Sequence, residues 1–123
     1  MSAPRRIIHE ESGRTLLAAA RWCDTFLTKL RGFTFRSGLE PGEGLVLVEK
    51  RDNKLNSAIH MLFVPFDLGV IWVNDAGLVV DTVVAKPWAL SYTPQAAARY
   101  VIEMAPAGLE GVAVGDHIRF EPI

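Results

Sequence analysis

The chain has 123 residues, half of them apolar, with 13 Lys plus Arg against 14 Asp plus Glu and a net charge of −1. That length predicts one domain, 1–123, able to bury a core without staples. The charge balance carries no basic footprint for nucleic acid, and no window holds the roughly eighteen uninterrupted apolar residues of a spanning helix.

The single cysteine, Cys23, allows no internal disulfide and points to no oxidising compartment. Two arginines stand near the start, but Glu10 and Glu11 arrive before any apolar stretch of signal length. A cytoplasmic protein without a membrane or nucleic-acid partner is the expectation.

In chain order, "RRIIHE" predicts a strand and Ser12-Gly13 a polar turn. "RTLLAAARW" predicts a second strand or a short helix, because Ala18 to Ala20 blur the period. "CDTFLTKLRGF" carries helix signals: Asp24 as N-cap, Phe26, Leu27 and Leu30 on one face, Lys29 and Arg31 in the last turn, and Gly32 as the stop. "RSGLEPGEG" is loop chemistry. "GLVLVEK" is an apolar run of strand length, and "RDNKLNS" a polar connection suited to a mobile loop.

The stretch 56–74, "NSAIHMLFVPFDLGVIWVN", divides in two. "SAIHMLFV" predicts one strand. Pro65 cannot donate to a central ladder, so the chain bends there. "FDLGVIWVN" predicts a second strand, with Leu68, Val70 and Trp72 on one face, followed by a hairpin turn at Asp75 to Gly77 and the partner strand "LVVDTVVA". "KPWALSYTP" is turn-rich and aromatic. Residues 94–104 fit either period, as a helix opened by Thr93-Pro94 or as a strand. "GVAVGDHIRFEPI" predicts strand, Gly115-Asp116 turn, strand. Many short strands with turns between them, and one or two short helices, predict a mainly β domain. A compact antiparallel sandwich or barrel is the natural closure.

Chemistry is sparse. No phosphate loop, nucleophile elbow or cofactor motif is present, so no cofactor is expected. His9, His60, His117 and Cys23 lack ligand spacing, so no metal site is legible. Cys23 beside Trp22 suits a buried small hydrophobe better than a nucleophile. His60 and Asp67 could meet across the Pro65 bend, where a carboxylate would orient the imidazole; the plain alternative is that each satisfies backbone groups. Lys86, Pro87 and Trp88, with Tyr92 nearby, could form a recognition platform or merely pin a loop to the core. Arg99, among apolar residues, needs a carboxylate if it turns inward, with Asp67, Asp81 and Asp116 as the available partners, and otherwise faces solvent.

The order of these motifs resembles a known family. "RGFTFR", a Gly-Leu strand, "IHMLF" and "PFD" running into "VIWVNDAGLVVD", then "AKPW", "ARYVIEM" and a closing "VGD" are similar to domain-of-unknown-function family 192 (DUF192). The match runs from about Arg14 to Ile118, and "SAIHMLF", "AKPW" and "ARYVIEM" are its most specific parts. Members commonly place a basic residue before the Pro-apolar-Asp step. Here the spacing around "MLFVPFD" is shorter and that residue is absent. The resemblance implies a compact, jelly-roll-like or barrel-like β domain and supplies no reaction.

Two functions of different class follow. The first is a binding module for an unknown protein or small-molecule ligand, with a patch of His60, Asp67, Lys86, Trp88 and Arg99. The second is a small hydrolase-like or lyase-like enzyme using His60 as general base, oriented by Asp67. Carbohydrate binding is a third, by fold analogy. The apolar fraction also motivates a homodimer, which light scattering at tens of micromolar would test.

Overall fold

The computed structural model describes residues 2–123. Seven strands run as β1 (Arg5–His9), β2 (Arg14–Cys23), β3 (Gly44–Asn53), β4 (Leu68–Val73), β5 (Val79–Ala85), β6 (Ala98–Met104) and β7 (Ile118–Pro122). One α-helix, α1 (Phe26–Arg31), follows β2, and a 3₁₀ turn, Pro106–Leu109, follows β6. The strands form one sheet in the order β5-β4-β6-β3-β2-β1-β7. Every neighbouring pair is antiparallel except β2 and β3, whose parallel pairing needs the long crossover that carries α1.

The mainly β expectation holds, but the sheet is mixed and is not closed into a barrel. Its two edges still meet at one end. Leu78 bridges His117, and Ile118 N–H donates to the Gly77 carbonyl at 2.8 Å.

Residue alternation explains the curl. Ile7, Leu17, Val46, Ile71, Val79, Ile102 and Ile118 share one buried cluster, so every strand contributes to it and the sheet must wrap around it. The opposite face carries Leu45, Leu68, Val70, Trp72 and Val101. That face is covered by irregular chain rather than a second sheet: Ile59, Met61 and Val64 pack on it, and Trp72 Nε1–H donates to the Ser57 carbonyl at 2.7 Å. β4 is therefore buried on both sides, as its unbroken apolar run requires.

Several local expectations change. "SAIHMLFV" is not a strand; its only pairing is the bridge Ile59↔Tyr92, and Phe63 adopts a left-handed backbone that ends any extended run. Arg51 to Asn53 belong to β3 rather than to a loop. Of residues 94–104, Ala98–Met104 form strand β6, central and covered on both faces, while 94–97 are irregular. Thr25, not Asp24, caps α1; its hydroxyl accepts from Thr28 N–H, and the Thr28 hydroxyl accepts from Thr25 N–H. Gly32 ends the helix as expected. Among the described residues no helix is long and apolar enough to cross a membrane.

Candidate functional site

A cavity of about 370 Å³ lies between α1, the 56–64 segment and strands β3 and β6. Its walls are mainly apolar, with Phe26 and Leu30 from the helix and Phe33, Leu47, Val64 and Val101 from the body, and polar groups of Arg31, Asn56 and His60 among them. α1 buries none of its residues, and Phe26 is 75% exposed. A helix of this length has little stability of its own, so the capping box and Gly32 hold it over the opening.

Glu103 stands in this cavity. On β6 it lies opposite Leu45 of β3 and Val70 of β4, two residues of the loop-covered core, and it is only 5% exposed. Its carboxyl has no hydrogen-bond partner in the protein, yet no fully enclosed polar side-chain atom lacks one among the described residues. The carboxyl oxygens therefore open onto the cavity. Burial raises the Glu103 pKa from 4.5 to about 7, and the charge of Arg21 pulls weakly the other way. Arg21 itself donates to the Gly32 carbonyl at 3.4 Å and lies over the Phe33 ring. Lys29 and Glu49, also in the lining, neutralise each other at 2.8 Å.

The residues singled out from sequence are partly gathered. His60 lines the cavity, but its Nδ1 accepts from Leu62 N–H at 3.2 Å. Asp67 pairs instead with Lys86 Nζ at 3.3 Å. No hydrogen bond joins His60 to Asp67, so the dyad is not formed. Arg99 finds a partner outside the expected set. Its Nη1 donates to Asp75 at 2.7 Å and its Nε to the Glu49 carbonyl at 2.9 Å, and it stays outside the cavity. Cys23 is buried, and burial raises its thiol pKa.

Trp88 belongs to a group that sequence did not show. Phe35, Phe63 and Trp88 are 79%, 48% and 53% exposed. Phe35 and Phe63 stack with centroids 4.8 Å apart, and Trp88 stands edge-on to Phe63 at 5.3 Å. These three are the only non-glycine residues at positive φ among the described residues, at 63°, 61° and 64°. That conformation costs a bulky residue on the order of 1–2 kcal/mol. The backbone holds it: Phe35 N–H donates to the Phe63 carbonyl at 2.8 Å, and Trp88 N–H to the Met61 carbonyl at 3.0 Å. Since Phe33, Thr34 and Val64 line the cavity, the aromatic group stands directly beside it.

One possible metal-ligand cluster lies elsewhere. His9, Glu11 and Asp116 offer ligand atoms within 4.8 Å of one another. Each already has a protein partner: His9 Nε2–H donates to Asp116 at 2.7 Å, and Glu11 pairs with His117 at 2.6 Å. Hydrogen bonding accounts for this group without an ion.

With the geometry in place, comparison with known proteins is informative. The DUF192 profile, described as an uncharacterized ACR, matches residues 7–120. The chain belongs to the DUF192 family. It is 40% identical to a UPF0127 protein of Thermococcus gammatolerans over 84% of its own length, spanning 65% of that relative. It is 38% identical to a UPF0127 protein of Thermococcus kodakarensis, over 94% of this chain and 73% of the other. Among solved structures, this DUF192 chain superposes on a Novosphingobium aromaticivorans protein of unknown function with a TM-score of 0.79 at 19% identity, covering 94% and 83% of the two chains. A Sinorhizobium meliloti protein, provisionally called a transcription regulator, gives 0.82 at 19% identity over 97% and 94%. At that identity the likeness concerns the fold.

Proposed function

We propose that this DUF192 chain is a small-molecule-binding domain whose ligand site is the cavity under α1. One observation carries the reading: a buried carboxyl without a protein partner faces an apolar space of ligand size. The exposed apolar face of α1 and the neighbouring aromatic group belong to the same face of the molecule, around His60 and Trp88.

The enzyme reading is less well supported. His60 Nδ1 is already accepting a backbone N–H, and Asp67 is paired with Lys86. No activated nucleophile lines the cavity: the Ser57 hydroxyl donates to the Asn53 carbonyl and the Thr34 hydroxyl to the Arg31 carbonyl. A carbohydrate platform is also poorly supported. Phe35 and Phe63 cover one face of each other, and Trp88 is inclined at 64° to Phe63, so no continuous flat surface is offered.

The test is a fragment titration followed by amide resonances. Ligands of the site should move the amides of Leu30, Gly32, Ala58 and Glu103, and the cavity-filling Ala58→Trp should abolish these changes without unfolding the chain. Perturbations confined to other surfaces would overturn the assignment.

A further inference from the structure

We propose that the ligand is a small apolar amine, its ammonium group pairing with the Glu103 carboxylate at the cavity floor and its carbon skeleton lying against Phe26, Leu30, Phe33 and Val101. This rests on the cavity being the ligand site and names what that site selects.

The selection follows from which charges are free. A carboxylate in a low-dielectric site is costly unless a cation or hydrogen-bond donors compensate it. Among the described residues Glu103 has no such donor, and it lines the cavity. The charged or titratable groups around it are Arg21, Cys23, Lys29, Arg31, Glu49 and His60. Lys29 is neutralised by Glu49, and the Arg21 guanidinium is engaged with the Gly32 carbonyl and the Phe33 ring rather than hydrogen-bonded to Glu103. None of these closes on the carboxyl. Burial without a partner raises the group's pKa, so the carboxyl holds its proton more tightly than an exposed glutamate does.

An ammonium group replaces that proton as the counter-charge and adds a charge-assisted hydrogen bond. A ligand carboxylate would instead meet Glu103 as a like charge in a desolvated space. A neutral hydroxyl could donate a hydrogen bond but would leave the charge uncompensated. The apolar walls then favour a hydrophobic skeleton over a polar one.

The test titrates the full chain with benzylamine, benzyl alcohol and benzoate at about pH 8, where Glu103 is mostly ionised, by calorimetry and amide resonances. Benzylamine should bind about tenfold or more tighter than benzyl alcohol, and benzoate weakest. Glu103→Gln should remove the preference by weakening benzylamine about tenfold or more. A second readout does not depend on the variant. At about pH 6 the Glu103 carboxyl carbon resonance should move toward its ionised position as benzylamine is added.

Equal binding of amine and alcohol, unchanged in Glu103→Gln, would overturn the amine assignment and leave the cavity as a ligand site. Benzylamine bound equally by both variants, with the Glu103 resonance still, would place the amine elsewhere and also overturn it. If none of the three moves the cavity amides, both the amine assignment and the cavity reading fall.

Discussion

Glu103 is held where a carboxylate is costly, and stability should report it. Its pKa in the folded chain is raised from 4.5 to about 7 by burial. Between those values the folded chain binds the proton and the unfolded chain releases it. This group's contribution is therefore fully present below about pH 4.5, is lost as the pH rises toward 7, and is level above that. Glu103→Gln should remove this loss, raising stability at about pH 8 by on the order of 3 kcal/mol while changing little at low pH. Urea unfolding of both proteins at several pH values measures it. His117, whose pKa is also raised, loses its contribution at higher pH, but it is common to both proteins and cancels in the difference. Parallel pH curves for the two would contradict the burial argument.

Phe35 poses the opposite question. Its left-handed backbone costs about 1–2 kcal/mol, while stacking on Phe63 is worth about 0.5–1.5. Phe35→Gly should then change stability by less than about 1 kcal/mol. A loss near 3 kcal/mol would show that the ring holds the fold together rather than waiting for a ligand. Neither residue was visible in the sequence. Glu103 in "ARYVIEM" reads as an outward strand position, yet a strand covered on both faces has no outward side. Its step with Val101, two residues earlier, was the available signal. Nothing in the string marks a positive φ at Phe35 or Phe63. Trp88, Lys86 and Asp67 were legible because proline and charge beside an aromatic announce a loop.

At the scale of elements, α1 shows what pattern can and cannot say. Phe26 and Leu30, about one turn apart, both line the cavity while Leu27 does not, and Gly32 does end the helix. The apolar face, however, borders a cavity and solvent instead of entering the core. Since the helix buries no residue, its stability is local. Thr25→Ala should cost about 1 kcal/mol there, seen as faster amide exchange through Phe26–Arg31 with the unfolding midpoint of the whole chain nearly unchanged. Ligand affinity should fall with it. A drop in global stability of similar size would mean that α1 is coupled to the core. The hairpin β4–β5 was fully legible, because Asn74 to Gly77 supply the turn and both strands carry branched residues. "SAIHMLFV" misled because its buried side chains, Ile59, Met61 and Val64, pack on the sheet from irregular backbone, which hydrophobic content alone does not distinguish from a strand.

At the scale of the molecule, a mainly β domain could be read from the spacing of strands and turns, but the pairing could not. β3 lies between β2 and β6, one parallel and one antiparallel, and no local pattern encodes such distant partners. The curl of the sheet also ends in a junction that only the folded chain reveals. The start of β7 meets the β4–β5 hairpin through backbone bonds, with Val79 N–H donating to the Asp116 carbonyl and Ile118 N–H to that of Gly77, while Glu10 N–H at the end of β1 donates to the His117 carbonyl. Side chains reinforce it. Asp116 accepts from His9 Nε2–H and from Ala113 N–H, and both bonds lower its pKa. Because that pKa is depressed, the contribution is present above the ordinary aspartate value and is lost as the pH falls through the lowered one. His9 is buried at 3% exposure, so removing its acceptor strands a polar nitrogen in the interior. Asp116→Ala should therefore lower the stability of the folded chain. The loss should be uneven: amides of Val79, Gly115 and Ile118, which bond across the junction, should exchange faster first, while those of β4 and β6 stay protected. Uniform loss of protection would mean that the junction is part of the global unfolding unit. A selective loss would show a sheet whose edges are fastened at one end by a side-chain network, leaving the face that carries the cavity undisturbed.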